Sequence, residues 1–187
     1  MSIPIINGID GSQTLRSFPD ESGEDLPENV SWPVELAWSL SGKRYAQSVE
    51  ATIGDNDTYT VAITTPNTTN IILLMVSAKS SAGATVTIYE DSTVTGGTSV
   101  TLRNYNRTMS DTTATVVVEE PTVTVAGTAI YPAVTLGSTT GWGVTTDVAG
   151  SASGGIRLKP NTTYVYQVDS TANDNIVEIV IDVVEDV

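Results

Sequence analysis

From Tyr45 onward, apolar residues recur at every second position in short runs, and each run ends in turn residues. Tyr45, Gln47, Val49, Ala51 and Ile53 share one parity, and Gly54-Asp55-Asn56-Asp57 follows as a turn. Tyr59, Val61 and Ile63 repeat the pattern up to Thr65-Pro66-Asn67. Residues 70–79 are apolar on both parities, which predicts a central strand covered on both faces. Ser80-Ser81-Ala82-Gly83 turns into a strand around Val86 and Ile88, and 91–97 reads as a loop. Short strands are expected at Val100-Leu102, Thr113–Glu119 and Thr122–Ile130. Residues 136–155, rich in Gly, Ser and Thr and carrying Trp142, read as a long loop. Arg157-Leu158, the Pro160-Asn161 turn and the Tyr164/Tyr166 run follow. In the last strand Val177, Ile179, Ile181 and Val183 form an apolar row, with Glu178 and Asp182 on the opposite face. Turn signals at roughly 8–12-residue intervals, without βαβ spacing or a fixed repeat, predict an all-β fold over residues 45–187. The expected architecture is an antiparallel two-sheet β-sandwich, jelly-roll-like.

Residues 1–44 break this rhythm. Pro4, Pro19, Pro27 and Pro33 interrupt any helix, and seven acidic side chains face only Arg16, Lys43 and Arg44. The segment reads as an extended acidic N-terminal arm. Within it Leu26, Val30, Trp32, Val34, Leu36 and Trp38 form an alternating apolar set that includes two of the three Trp residues. Such residues ordinarily pack on their own domain. In an acidic arm they also form the candidate partner-binding set.

Composition sharpens the class. Thr and then Val are the most frequent residues, both β-branched and suited to pleated surfaces. The 187 residues include 22 acidic and 8 basic side chains, a net charge of −14, with no Cys and no His. No disulfide, thiolate or zinc cluster can form, and no histidine base or Ser-His-Asp triad exists. The charge opposes binding to a phosphate backbone, so no nucleic-acid partner is expected. The longest apolar stretch, Ile71–Val76, is too short to span a bilayer, and no secretion signal opens the chain, so no membrane partner and synthesis in a cytoplasm are expected.

Candidate chemistry is thin. Ser153 in Gly150-Ser-Ala-Ser153-Gly154 misses the G-x-S-x-G spacing and has no His to serve it. Glu119 and Glu120 are neighbours, so on a strand they point to opposite faces and do not form a glycosidase pair. Gly54-Asp55-Asn56-Asp57-Thr58 lacks the Gly and Glu of a calcium loop and reads as a turn. Arg103 and Arg107 flank Asn104-Tyr105-Asn106, an arrangement suited to tying loops together. The chain is therefore expected not to be an enzyme and to need no cofactor or metal.

Several motifs, in order, resemble a group of tailed-bacteriophage capsid decoration (cement) proteins. They are Ile71-Ile72-Leu73-Leu74-Met75-Val76, then Ile88-Tyr89-Glu90-Asp91 with Gly96-Gly97-Thr98, then Asn104-Tyr105-Asn106-Arg107 and Gly127-Thr128. Leu158-Lys159-Pro160-Asn161-Thr162-Thr163-Tyr164 closes the series, and residues 1–44 lie outside the resemblance. The resemblance implies a β-sandwich virion protein on the capsid exterior that bridges major capsid protein subunits, as a homotrimer and without catalytic residues. The alternative is a carbohydrate-binding module or adhesin on the same scaffold, with Trp142 and Tyr105 as loop-borne aromatic platforms. A carboxylate-based hydrolase is the least supported reading.

Overall fold

Alternating β-branched residues pair here as two antiparallel sheets. The structure, a computed structural model, describes residues 34–67, 71–136, 146–149 and 156–186. One helix, α1 (Val34–Leu40), precedes the strands. They are β1 (Arg44–Ile53), β2 (Thr58–Thr64), β3 (Ile71–Ser80), β4 (Ala84–Glu90), β5 (Thr93–Thr95), β6 (Thr98–Val100) and β7 (Arg103–Asn104). After them come β8 (Val116–Glu119), β9 (Thr122–Val125), β10 (Thr128–Leu136), β11 (Thr146–Ala149), β12 (Ile156–Arg157), β13 (Thr163–Ser170) and β14 (Asn175–Asp186).

The first sheet runs β11-β3-β14-β1-β7, with β12 also paired to β3. The second runs β10-β4-β13-β2-β8-β6. The chain changes sheets at every step from β1 to β4 and again between β13 and β14. β1 and β3 flank β14 in one sheet, just as β2 and β4 flank β13 in the other. That doubled-over hairpin order is a jelly roll. Register is pinned over long ladders, from Arg44↔Val184 to Ile53↔Asn175 and from Thr163↔Thr64 to Asp169↔Thr58.

The core lies between the inner faces. Tyr59, Val61 and Ile63 of β2, Tyr164 and Tyr166 of β13, Val86 and Ile88 of β4 and the row Val177, Ile179, Ile181 and Val183 of β14 are all buried. The expected parity of the last strand is observed. Its polar side is not left to solvent, because Glu178 pairs with Lys79 at 2.9 Å and Asp182 with Arg44.

Residues 91–97, expected to be a loop, instead contain β5, which pairs with β9 as a two-stranded ribbon. The strand expected over 122–130 is split into β9 and β10 at Gly127, whose φ is +81°. β4 and β6 stand four places apart in their sheet, a span of ~19 Å at ~4.8 Å per strand. Residues 91–97 cover that span, so the ribbon crosses β13, β2 and β8 broadside. Ser92 donates its backbone N–H to Thr163 and Glu120 donates to Thr60, which stitches the ribbon to the sheet. The outward-facing Ala62 and Val165, paired in register, are only 1% and 0% exposed as a result. Sheet two is thus covered on its outer face around Ala62 and Val165. Part of the long 136–155 segment also departs from the loop expectation, since β11 pairs with β3.

The opposite end of the sandwich is closed by side chains. Asn175, fully buried, accepts from Ser80 Oγ (2.8 Å) and Ala82 N (3.0 Å) and donates to Gly83 O and Ser170 Oγ. It locks the β3–β4 turn to the β13–β14 turn.

By its internal contacts the chain divides into residues 1–38 and 39–187. In the first, Val34, Leu36 and Trp38 lie in α1, where the alternating reading required extended backbone. Positions two apart do not share a helix face, so Leu36 does not align with Val34 and Trp38, which stand four apart. Leu26, Val30 and Trp32 lie outside the described residues.

Candidate interaction surface at the root of the arm

The motif Asn104-Tyr105-Asn106-Arg107 sits where the chain enters β1. β7 is only two residues long, yet it pairs Asn104 with Tyr45 and Arg103 with Ala46. Asn104 is 1% exposed and acts as a hub. Its amide donates to Gly42 O (2.9 Å) and Ser110 O (3.1 Å), and its Oδ1 accepts from Asn106 N (2.8 Å). Asp111 closes the loop, accepting from Asn104 N at 2.8 Å, from Arg103 at 2.9 Å and from Arg107 at 2.8 Å. The Arg103 hydrogen bond, with the Asn104 N–H and Arg107 adding to it, holds the Asp111 carboxyl down at about 2. The expected loop-tying role of the two arginines is observed.

Tyr105 is fastened to the sandwich by its ring and its hydroxyl. The Arg44 guanidinium lies 4.5 Å from the ring centroid, a cation–π contact, and the hydroxyl donates to Asp182 Oδ2 at 3.2 Å. Arg44 itself grips Asp182 through Nε at 3.0 Å and through its terminal nitrogen at 2.5 Å. Burial, and next the negative charge of Asp182, push the Tyr105 hydroxyl above its ordinary pKa. Beside this hub, Glu185 is 2% exposed and accepts two backbone donors, Ala114 N at 3.0 Å and Thr115 N at 2.7 Å. Two carboxylates of the C-terminal strand, Asp182 and Glu185, therefore fasten loops.

The fastened loop presents apolar groups outward. Tyr105 is 47% exposed, Met109 51% and Leu40 57%. Met109 lies against Gly42, where a Cβ would come within 3.0 Å of its Cγ. Gly42, at φ +73°, turns the chain out of α1 toward β1. Asn106 donates to Leu40 O at 2.9 Å, so Leu40 is tied to the same loop.

Two further motifs of the series meet near the end of β4. Lys159 reaches Glu90 at 2.5 Å, and Tyr164 donates to the other oxygen of Glu90 at 2.9 Å. The Lys159 hydrogen bond lowers the Glu90 pKa, and the Tyr164 hydroxyl adds to that effect. These contacts are held by an exposed lysine and fix loop geometry.

The other candidates resolve as follows. Asp57 accepts from Gly54 N at 2.9 Å and Asn56 adopts φ +61°, so residues 54–57 form the expected turn. Glu119 takes the Tyr59 hydroxyl, and Glu120 at φ +49° leaves the strand. Among the described residues, no group of three or more His, Cys, Asp or Glu side chains could hold a metal ion. None of their helices is long and apolar enough to cross a membrane. Trp142 and Ser153 lie outside the described residues. An open cleft of about 450 Å³ runs between β1 and β6, lined by Gln47, Glu50, Ser99, Thr101 and Arg103 among others. Nothing in the sequence marked Arg44, Asp182, Asp111 or Glu185 as a set, because each contact is made across strands or between a strand and a loop.

No family model, no curated protein and no solved structure matches this chain.

Proposed function

We propose that this chain is a non-catalytic structural protein that decorates the outside of a phage capsid and bridges major capsid protein subunits. In this reading the jelly roll forms the outward knob, self-assembled as a trimer, and the acidic arm attaches it. The observation that carries the reading is the arm root. A rigid hub of Asn104, Asp111, Arg44 and Asp182 holds exposed Tyr105, Met109 and Leu40 where the arm joins the sandwich. A bridging protein needs a stiff body and a firm anchor for its arm, since tension on the arm must reach the core. The jelly-roll strand order is the scaffold that the sequence resemblance implies. The carbohydrate-binding alternative is less well supported, because Arg44 already occupies one face of the Tyr105 ring.

Co-sedimentation with capsids assembled from a major capsid protein encoded beside this gene tests the reading. The full chain is expected to pellet with capsids. A chain lacking residues 1–40 is expected to keep its β-sheet circular dichroism and remain in the supernatant. A full chain that stays in the supernatant overturns the proposal, and pelleting of the truncated chain removes the arm's role.

A further inference from the structure

The surface of the β5–β9 ribbon differs from the rest of the molecule in charge. The chain carries 30 charged side chains, yet none falls in 92–102 or in 121–146, the runs that contain both ribbon strands. Val94 and Val123 are half-buried, and Thr93, Thr95, Thr122, Thr124 and Val125 are exposed. Val125 is 56% exposed. The ribbon therefore shows solvent an uncharged face of threonine methyls and hydroxyls with one bare valine.

Its edges are also open. β5 and β9 pair only with each other among the described residues, so each has a free row of backbone donors and acceptors. A two-stranded sheet is marginal in water, and exposed edges are normally guarded by charge. Here a molecule rich in carboxylates places none on either ribbon strand. Two copies at −14 each repel one another wherever acidic surfaces meet. They approach at the least electrostatic cost through a face that carries no charge. A basic partner would instead select an acidic surface.

From this we infer that the β5–β9 ribbon is a self-association surface and that its partner is the ribbon of a second copy of this chain. The inference deepens the self-assembly part of the function proposed above. It rests on the charge distribution alone and stands if capsid binding fails.

Light scattering on the purified full chain, without capsids, tests it. The expected mass is a multiple of 19.6 kDa. Association is expected to tighten as salt is raised, because salt screens the repulsion and an uncharged contact loses nothing. Thr95→Glu combined with Val125→Glu is expected to weaken association by about a hundredfold, by bringing like charges face to face. Ser48→Glu, at an exposed site on β1, is expected to leave it unchanged. In the unmodified chain, amide exchange over 93–95 and 122–125 is expected to slow as concentration rises, a readout that needs no variant. A monomeric chain at every salt concentration overturns the inference, as does a folded double variant that still associates or ribbon exchange indifferent to concentration.

Discussion

Arg44, the first residue of β1, grips Asp182 of β14 with two nitrogens, at 3.0 and 2.5 Å, while its guanidinium covers the ring of Tyr105. The side chains of Arg44 and Asp182 are 19% and 12% exposed, so the pair is largely withdrawn from water. Their strands are hydrogen-bonded neighbours, with Ala46 opposite Asp182 and Arg44 opposite Val184. The contact is therefore a diagonal across one ladder, and it fixes the start of β1 against the longest strand of the sandwich.

Removing either partner should leave the other's charge half-buried without its counterpart. Arg44→Ala and Asp182→Ala are each expected to cost about 2–3 kcal/mol in urea unfolding. The double variant is expected to cost clearly less than the sum, giving a coupling of more than ~1 kcal/mol. Strict additivity would show that the pair contributes nothing specific. Arg44→Lys is expected to recover only part of the loss, since an ammonium neither forks nor stacks.

Asn175 closes the far end with donors and acceptors that a smaller side chain cannot replace. Asn175→Ala leaves the half-buried Ala82 N–H without its acceptor and frees two turns from one another. The expected cost is about 2–3 kcal/mol, with a lower thermal midpoint and faster amide exchange at residues 81–83 and 171–174. Asn175→Asp is expected to be as damaging, because a carboxylate cannot donate to Gly83 O or Ser170 Oγ.

The strands were legible because their signal is local. Alternation marked β1, β2, β13 and β14, and Gly, Pro, Asn and Asp marked their turns. The sheet order was not legible, since each β14 neighbour lies some hundred positions or more away in the chain. β5 was missed for a different reason. Thr93-Val94-Thr95 is too short to show a period, and the turn-forming Asp91 and Gly96-Gly97 beside it dominate the pattern. α1 was missed because Val34, Leu36, Trp38 and Leu40 alternate like a strand. The arm root was half legible. Arg103 and Arg107 beside an Asn-rich turn suggested a tied loop, but the carboxylate that ties them, Asp111, carries no mark of its role.

Two carboxyls place an acid limit on stability. Asp111 is held at about 2 by Arg103, Asn104 and Arg107, and Glu90 is lowered by Lys159 and Tyr164. Both folded values lie below the unfolded ones of about 4. Their contribution is thus present above about pH 4 and lost as pH falls through the folded values, to about 2 for Asp111. At the alkaline side, burial pushes the Tyr164 hydroxyl up to about 12 and moves Tyr59 further in the same direction. Those contributions hold below about pH 10 and are lost as pH rises through the folded values. Urea midpoints at a series of pH values check both limbs. Asp111→Asn is expected to flatten the acid limb, and Tyr164→Phe the alkaline one.

Three glycines frame the ribbon, and they should not respond alike to substitution. Gly96, Gly97 and Gly127 adopt φ of +67°, +88° and +81°, all in the left-handed region. A methyl at Gly96 would meet nothing within 4 Å, so Gly96→Ala carries only the backbone strain, about 1 kcal/mol. At Gly97 a Cβ would stand 2.7 Å from Glu119 O and 2.9 Å from Pro121 N, neither of which can swing aside. At Gly127 it would collide with Glu90 O and lie 2.9 Å from Ser92 N, where β4 and β10 give way to the ribbon. Gly97→Ala and Gly127→Ala must therefore move backbone, at a cost of about 3 kcal/mol or more. Gly127→Ala is also expected to loosen self-association, because it shifts β9 relative to β5, whereas Gly96→Ala leaves the ribbon face in place. Equal losses of stability at Gly96 and Gly127 would mean that the close approach of Gly127 to Glu90 does not hold the ribbon.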